Sequence, residues 1–155
     1  MARLAGDALV AETTLNIPHP YPPAEAEAWI GRHREEAESG NALNLAIERR
    51  DDRALVGAIG LRIVPEHARA EVGYWIGVPY WGNGYATEAT RALIDYAFDE
   101  LGLNRVYAFH FTGNPASGRV LENAGMRFEG ELREEHFKNG EYRDSRLYGI
   151  IRSDR

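Results

Sequence analysis

The chain has 155 residues, 44% hydrophobic and 27% charged, enough for one domain with a real core. Its net charge of −6 argues against a nucleic-acid surface, which would show a basic stripe. The absence of cysteine excludes disulfides, a zinc-thiolate site and a cysteine nucleophile.

No apolar run reaches the length of a membrane span, and the opening MARLAGDALV lacks the long apolar core of a signal peptide, so the cytoplasm is the default location. Residues 14–23, TLNIPHPYPP, hold four prolines and read as a stiff loop. The following stretch to Gly40 predicts a helix with Ala26, Trp29, Ile30, His33 and Ala37 on one face. ALNLAIERR and RALVGAIGLRIV predict two strands joined by a turn at Asp51 and Asp52, and Arg69–Val78 a third after Pro65. A glycine turn, Gly82-Asn83-Gly84, then opens a helix with Ala86, Ala89, Leu93, Ala97 and Leu101 on one face. Asn104–Phe111 predicts a strand, NPASGRVLENAG a short helix ending at Gly125, and the tail two strands around Asn139-Gly140.

Hairpin-linked strands plus one strand–helix–strand crossover predict a single α/β (mixed α+β) layered domain over residues 1–155, with helices on the faces of a mixed sheet. Arg69–Val78 and Asn104–Phe111 should run parallel, which puts the glycine turn at the C-terminal end of a parallel strand, where ligands dock in open sheets. The turn is neither a P-loop, since Tyr85 follows Gly84, nor a dinucleotide fingerprint, since Thr87 stands where a third glycine is required. By itself it is equally a structural turn and a phosphate cradle.

Three strings in order, WGNGYATEA, NPASGRVLENAGM and NGEYRDSRLYGII, resemble the GNAT superfamily of acetyl-CoA-dependent N-acetyltransferases, and within it the ribosomal-protein alanine N-acetyltransferases. The resemblance runs from about Thr14 to the end. It implies a mostly antiparallel twisted sheet with one parallel, splayed pair, and transfer of acetyl from acetyl-CoA to an amine. The acceptor would be a protein N-terminus or a small molecule, with no metal, nucleic acid or membrane partner. It further implies that Gly82, Asn83, Gly84, Tyr85, Ala86 and Thr87 bind the pyrophosphate through the backbone. Ile76, Gly77 and Val78 would offer N–H groups to the pantetheine and the acetyl carbonyl. Pro79 departs from the Gln or Arg usual in that loop.

Glu71 is the best placed carboxylate for a general base, with a surface ion pair to Arg62 or Arg69 as the competing reading. Alternation puts it on one strand face with Gly73, Trp75 and Gly77, opposite Val72, Tyr74 and Ile76. The tyrosine that protonates the leaving thiolate in many GNAT enzymes is replaced by Leu121. Ser117 matches the serine that the resembled branch uses instead, and is equally a first-turn residue of a helix capped by Asn114, with Pro115 at its first position. Asn114 would also touch the pantetheine. His19, Tyr21 and Trp75 are candidate walls of the acceptor pocket, the first two also reading as a stiff connector. His136 either faces the acceptor or is a solvated strand histidine. The five histidines show no metal-ligand spacing. The family's first strand has no counterpart in MARLAGDALVAETTL, where Leu4, Ala8, Leu9 and Ala11 suggest helix. This leaves Ala42–Arg49 as an open sheet edge and a monomer or a homodimer as the expected state.

Overall fold

A computed structural model describes residues 1–155. Two short helices, α1 (Ala2–Ala5) and α2 (Ala8–Thr13), open the chain. Asp7 separates them and caps α2 by accepting the Leu9 N–H at 2.9 Å. Helix α3 (Pro23–Glu38) follows the proline-rich loop. Its buried stripe is narrower than the sequence pattern suggests. Ala26 is buried and Trp29 and His33 are half-buried, whereas Ile30 and Ala37 face solvent. Glu36 takes the next place on the stripe, accepting from the Asn44 amide at 3.1 Å.

Strands β1 (Ala42–Glu48), β2 (Leu55–Val64) and β3 (Arg69–Ile76) form an antiparallel meander. Helix α4 (Tyr85–Asp99) crosses to β4 (Arg105–Phe111), helix α5 (Pro115–Asn123) follows, and β5 (Arg127–Lys138) and β6 (Glu141–Ile151) close the chain. The sheet order is β1-β2-β3-β4-β6-β5, and only β3 and β4 are parallel. The hairpin between β5 and β6 turns at Asn139 (φ 52°) and Gly140 (φ 78°), the positive-φ pair that an Asn-Gly turn supplies at low cost. As expected from the sequence, β1 lies at an edge of the sheet and no strand precedes it.

The main core lies between the sheet and α4 with α5, around Phe98, Leu61, Leu121 and Val106. On α4 the buried positions are Thr90, Leu93, Ile94, Ala97 and Phe98. That stripe mixes steps of three and four residues, as 3.6 residues per turn require. The expected Ala86–Leu101 row advanced mostly by four and so drifted off the core, leaving Leu101 beyond the helix and exposed. A second, smaller cluster covers the other sheet face, where Ala5 and Val10 pack on Ala58 and Trp75. Lys138 ties this cover down, its buried ammonium donating to the carbonyls of Ala11 and Thr14.

Candidate active site

The parallel pairing of β3 and β4 lasts only from Arg69↔Arg105 to Glu71↔Tyr107. Beyond it β3 stays with β2 and β4 stays with β6, so the sheet splits. On β3 the Gly77 N–H donates to the Val56 carbonyl at 2.8 Å. Antiparallel alternation therefore turns the Tyr74 and Ile76 N–H groups away from β2 and into the gap. This corrects the expectation for Ile76–Val78: the Gly77 donor is consumed by the sheet, while those of Ile76 and Val78 are free of it. The Ile76 carbonyl accepts from the Trp81 indole at 2.7 Å, which holds the following loop against the strand end.

That loop ends in Gly82 (φ 77°) and Gly84 (φ 79°), a left-handed backbone that residues with a Cβ resist. Gly84 is the N-cap of α4 and no side chain caps the helix. From Gly82 to Thr87 no backbone N–H finds an acceptor within the protein. A Cβ added at either glycine would meet nothing within 4 Å, so the donors face open space. Consecutive unpaired donors at the positive end of a helix suit a phosphate. The Asn83 amide is occupied, donating to the Tyr80 and Trp81 carbonyls at 3.0 and 3.1 Å, and shapes the loop.

A cavity of about 560 Å³ passes through the split. On one face it is walled by Tyr21, Trp29, Glu71 and Trp75, and across the gap by Phe109, Phe111, His136 and Ser117. Its floor is hollow at Gly73, where an added Cβ would meet nothing within 4 Å, while Gly60, opposite it in the β2–β3 register, lets the Asn44 side chain and the Leu43 carbonyl come close. Glu71 borders the cavity and also sits 3.6 Å from the Arg62 guanidinium, the ion pair that the sequence offered as the competing reading. His136 is half-buried and its Nδ1 lies 2.7 Å from the Ser145 hydroxyl, edge-on to Phe109 and Phe111. An irregularity in β5 between Leu132 and His136, with Glu134 at φ 53°, aims it there; it is not a solvated strand histidine. His19 is not in the wall. It is exposed and bonded through Nδ1 to the Gly6 carbonyl at 2.8 Å, which keeps it with the N-terminal cover.

Asn114 caps α5 weakly, its side chain accepting the Ser117 N–H at 3.4 Å, and borders an adjoining hollow with Trp81 and Thr112. Ser117 is in the first turn of α5, as the sequence suggests. Its hydroxyl lies 2.6 Å from the Tyr74 hydroxyl, a contact absent from the sequence reading. Burial pushes the Tyr74 phenol up to about 12, against the opposing effect of the Ser117 hydrogen bond. His110 also lines the cavity. Its Nδ1 faces the Phe111 carbonyl at 2.7 Å, its Nε2 is buried without a partner, and burial lowers its pKa. No group of three or more His, Asp or Glu side chains is gathered closely enough to hold a metal ion, and no helix is long and apolar enough to cross a membrane.

The chain is similar to known proteins in sequence and in fold. Residues 1–127 match the acetyltransferase (GNAT) domain. The uncharacterized N-acetyltransferase YoaA of Bacillus subtilis is 42% identical over 107 residues, covering 68% of this chain and 60% of that protein. The ribosomal-protein-serine acetyltransferase of Escherichia coli is 35% identical over 98 residues, 63% of this chain and 55% of that protein. Among solved structures, the spermidine N-acetyltransferase of Vibrio cholerae in complex with CoA and spermine is 25% identical, with a TM-score of 0.82 over 99% of this chain and 88% of that one. The chain thus spans about 60% of the length of the curated relatives it matches. With a family match over most of its length and the split sheet that goes with it, the chain belongs to the GNAT acetyltransferases.

Proposed function

We propose that the protein transfers the acetyl group of acetyl-CoA to a primary amine by direct attack in a ternary complex. The observation that carries this reading is the gap between β3 and β4, lined by free N–H groups and leading to the uncapped start of α4. The pyrophosphate binds at Gly82–Thr87, and the pantetheine lies along β3, bonded to the N–H groups left free there. The thioester then reaches the cavity between Glu71 and Ser117. Glu71 takes the proton of the attacking amine, directly or through one water, aided by an α-amine pKa near 8 that leaves part of the amine neutral. The N–H groups of Ile76 and Val78 receive the negative oxygen as the new C–N bond forms. The C–S bond then breaks and the Ser117 hydroxyl donates to the departing sulfur. No residue needs to be acylated.

For the acceptor, the charges along the cavity are balanced: Arg32 lies 3.9 Å from Glu36 and Arg62 lies 3.6 Å from Glu71. A single α-amine, as at a protein N-terminus, suits that balance, and the Escherichia coli relative is named for a ribosomal protein. A polyamine needs a surplus of carboxylates. The adjoining hollow has one, with Glu12, Glu134, Glu141 and Asp144 against Arg143, and this observation favours the second reading. The test is thiol release from acetyl-CoA with peptides of varied N-termini and with spermidine. Turnover of peptides alone supports the first reading, and turnover of spermidine alone replaces it with the second. Binding of acetyl-CoA without release to any amine would make the protein a non-catalytic acetyl-CoA-binding module.

A further inference from the structure

Tyr74 lies three residues past the last β3–β4 pair, on one lip of the gap, and its ring crosses toward α5 on the other side. Its hydroxyl reaches Ser117 twice, at 2.6 Å to the side-chain oxygen and 3.4 Å to the carbonyl. No other side-chain hydrogen bond joins β3 to α5. The phenol is the stronger acid of the two hydroxyls, and we take its O–H as the donor and the Ser117 oxygen as the acceptor. That fixes the serine rotor. With one lone pair engaged by Tyr74, the Ser117 proton is directed away from the ring, into the cavity that both residues line.

We infer that Tyr74 is a positioning residue that orients the Ser117 hydroxyl to donate its hydrogen bond to the sulfur of CoA. The inference rests on the placement of the thioester proposed above. It needs no proton to leave Tyr74: a phenol pushed up to about 12 is a far weaker acid than a thiol near 8.5, so the phenol proton stays in place while the sulfur carries the charge. The pair therefore stabilises the thiolate by donation, through a chain of two hydroxyls.

The test uses CoA itself and requires no knowledge of the acceptor. The thiol of bound CoA is titrated by its ultraviolet thiolate absorbance in the parent, Tyr74→Phe, Ser117→Ala and the double variant. Each single change should raise the bound thiol pKa by about one unit, a tenfold loss of acidity, and the double variant should go no further. A parent-like value in Tyr74→Phe beside a raised one in Ser117→Ala would overturn the role of Tyr74 alone. A parent-like value in Ser117→Ala would overturn the Ser117 assignment with it. Additive shifts would show two independent contacts and overturn the relay, as would loss of CoA binding in Tyr74→Phe, which would assign the hydroxyl to the framework.

Discussion

Gly84 and Gly102 allow backbone strain to be separated from ligand contact. Both are in the left-handed region, at φ 79° and 67°, and an added Cβ would meet nothing within 4 Å at either. They stand at opposite ends of α4, about 25 Å apart at 1.5 Å per residue. Changing either to Ala should cost about 1–2 kcal/mol, the left-handed penalty of an L-residue. In a domain of this size that lowers Tm by about 2–8 °C. The two variants should match in this respect, because the strain is the same. They should differ in binding. A Cβ at Gly84 projects among the donors of Gly82–Thr87, and losing one charge-assisted bond to phosphate costs about 1.5–3 kcal/mol. Titration calorimetry with acetyl-CoA, well below both melting temperatures, should therefore show Kd weakened by roughly 10- to 150-fold in Gly84→Ala and unchanged in Gly102→Ala. Equal affinities in two folded variants would refute the phosphate cradle, since strain alone would then account for both glycines.

Gly73 has no atom within 4 Å of an added Cβ and lies on the cavity floor, so Gly73→Leu should fold while filling the acceptor side. Steady-state kinetics should show KM for the amine raised by tenfold or more with acetyl-CoA affinity intact; an unchanged acceptor KM would move the acceptor elsewhere. His110 has its pKa lowered by burial, so below pH 6.5 the unfolded chain binds a proton that the folded one refuses. Its contribution to stability is full above 6.5 and is lost as pH falls from 6.5 to its lower folded value. Urea unfolding across that window should show this loss in the parent and a flatter profile in His110→Gln; parallel profiles would assign the acid sensitivity to other groups.

Much of the fold is legible in the chain because its signals are local. The Asn139-Gly140 turn, the helix-opening Gly84 and the cap at Asn114 each depend on residues within a few positions, and each sits where the pattern puts it. The proposed phosphate site is local in the same way, being one loop and one helix start. The acceptor side is less so. Tyr74 and Ser117 are 43 residues apart and meet only because the gap brings β3 opposite α5. Alternation puts Tyr74 with Val72 and Ile76 on one face of β3, but nothing local says that this face meets Ser117. The hollow is similar, since the open space at Gly73 matters only once the sheet splits beside it. His19 failed for a related reason: a loop residue can go either to the pocket or to the cover, and the Gly6 carbonyl takes it.

The same separation bears on the gap itself. Each lip is held by its own half of the sheet, β3 through eight register pairs with β2 and β4 through seven with β6, against three between the lips themselves. The groups that β3 spends on β2 are not those it turns to the gap, so each half holds its lip without using the donors that face the gap. The unpaired N–H groups on β3 therefore remain available, and edge donors of that kind are satisfied by water or by an extended ligand carrying amides of its own. A pantetheine arm, with two amides along a flexible chain, has the form of a short strand. The Tyr74–Ser117 bond crosses at the level where the pairing is already lost. In the proposed placement of the cofactor, recognition by surrogate pairing follows from an imbalance in strand pairing, and the residues proposed for chemistry are those that the imbalance leaves on the two lips.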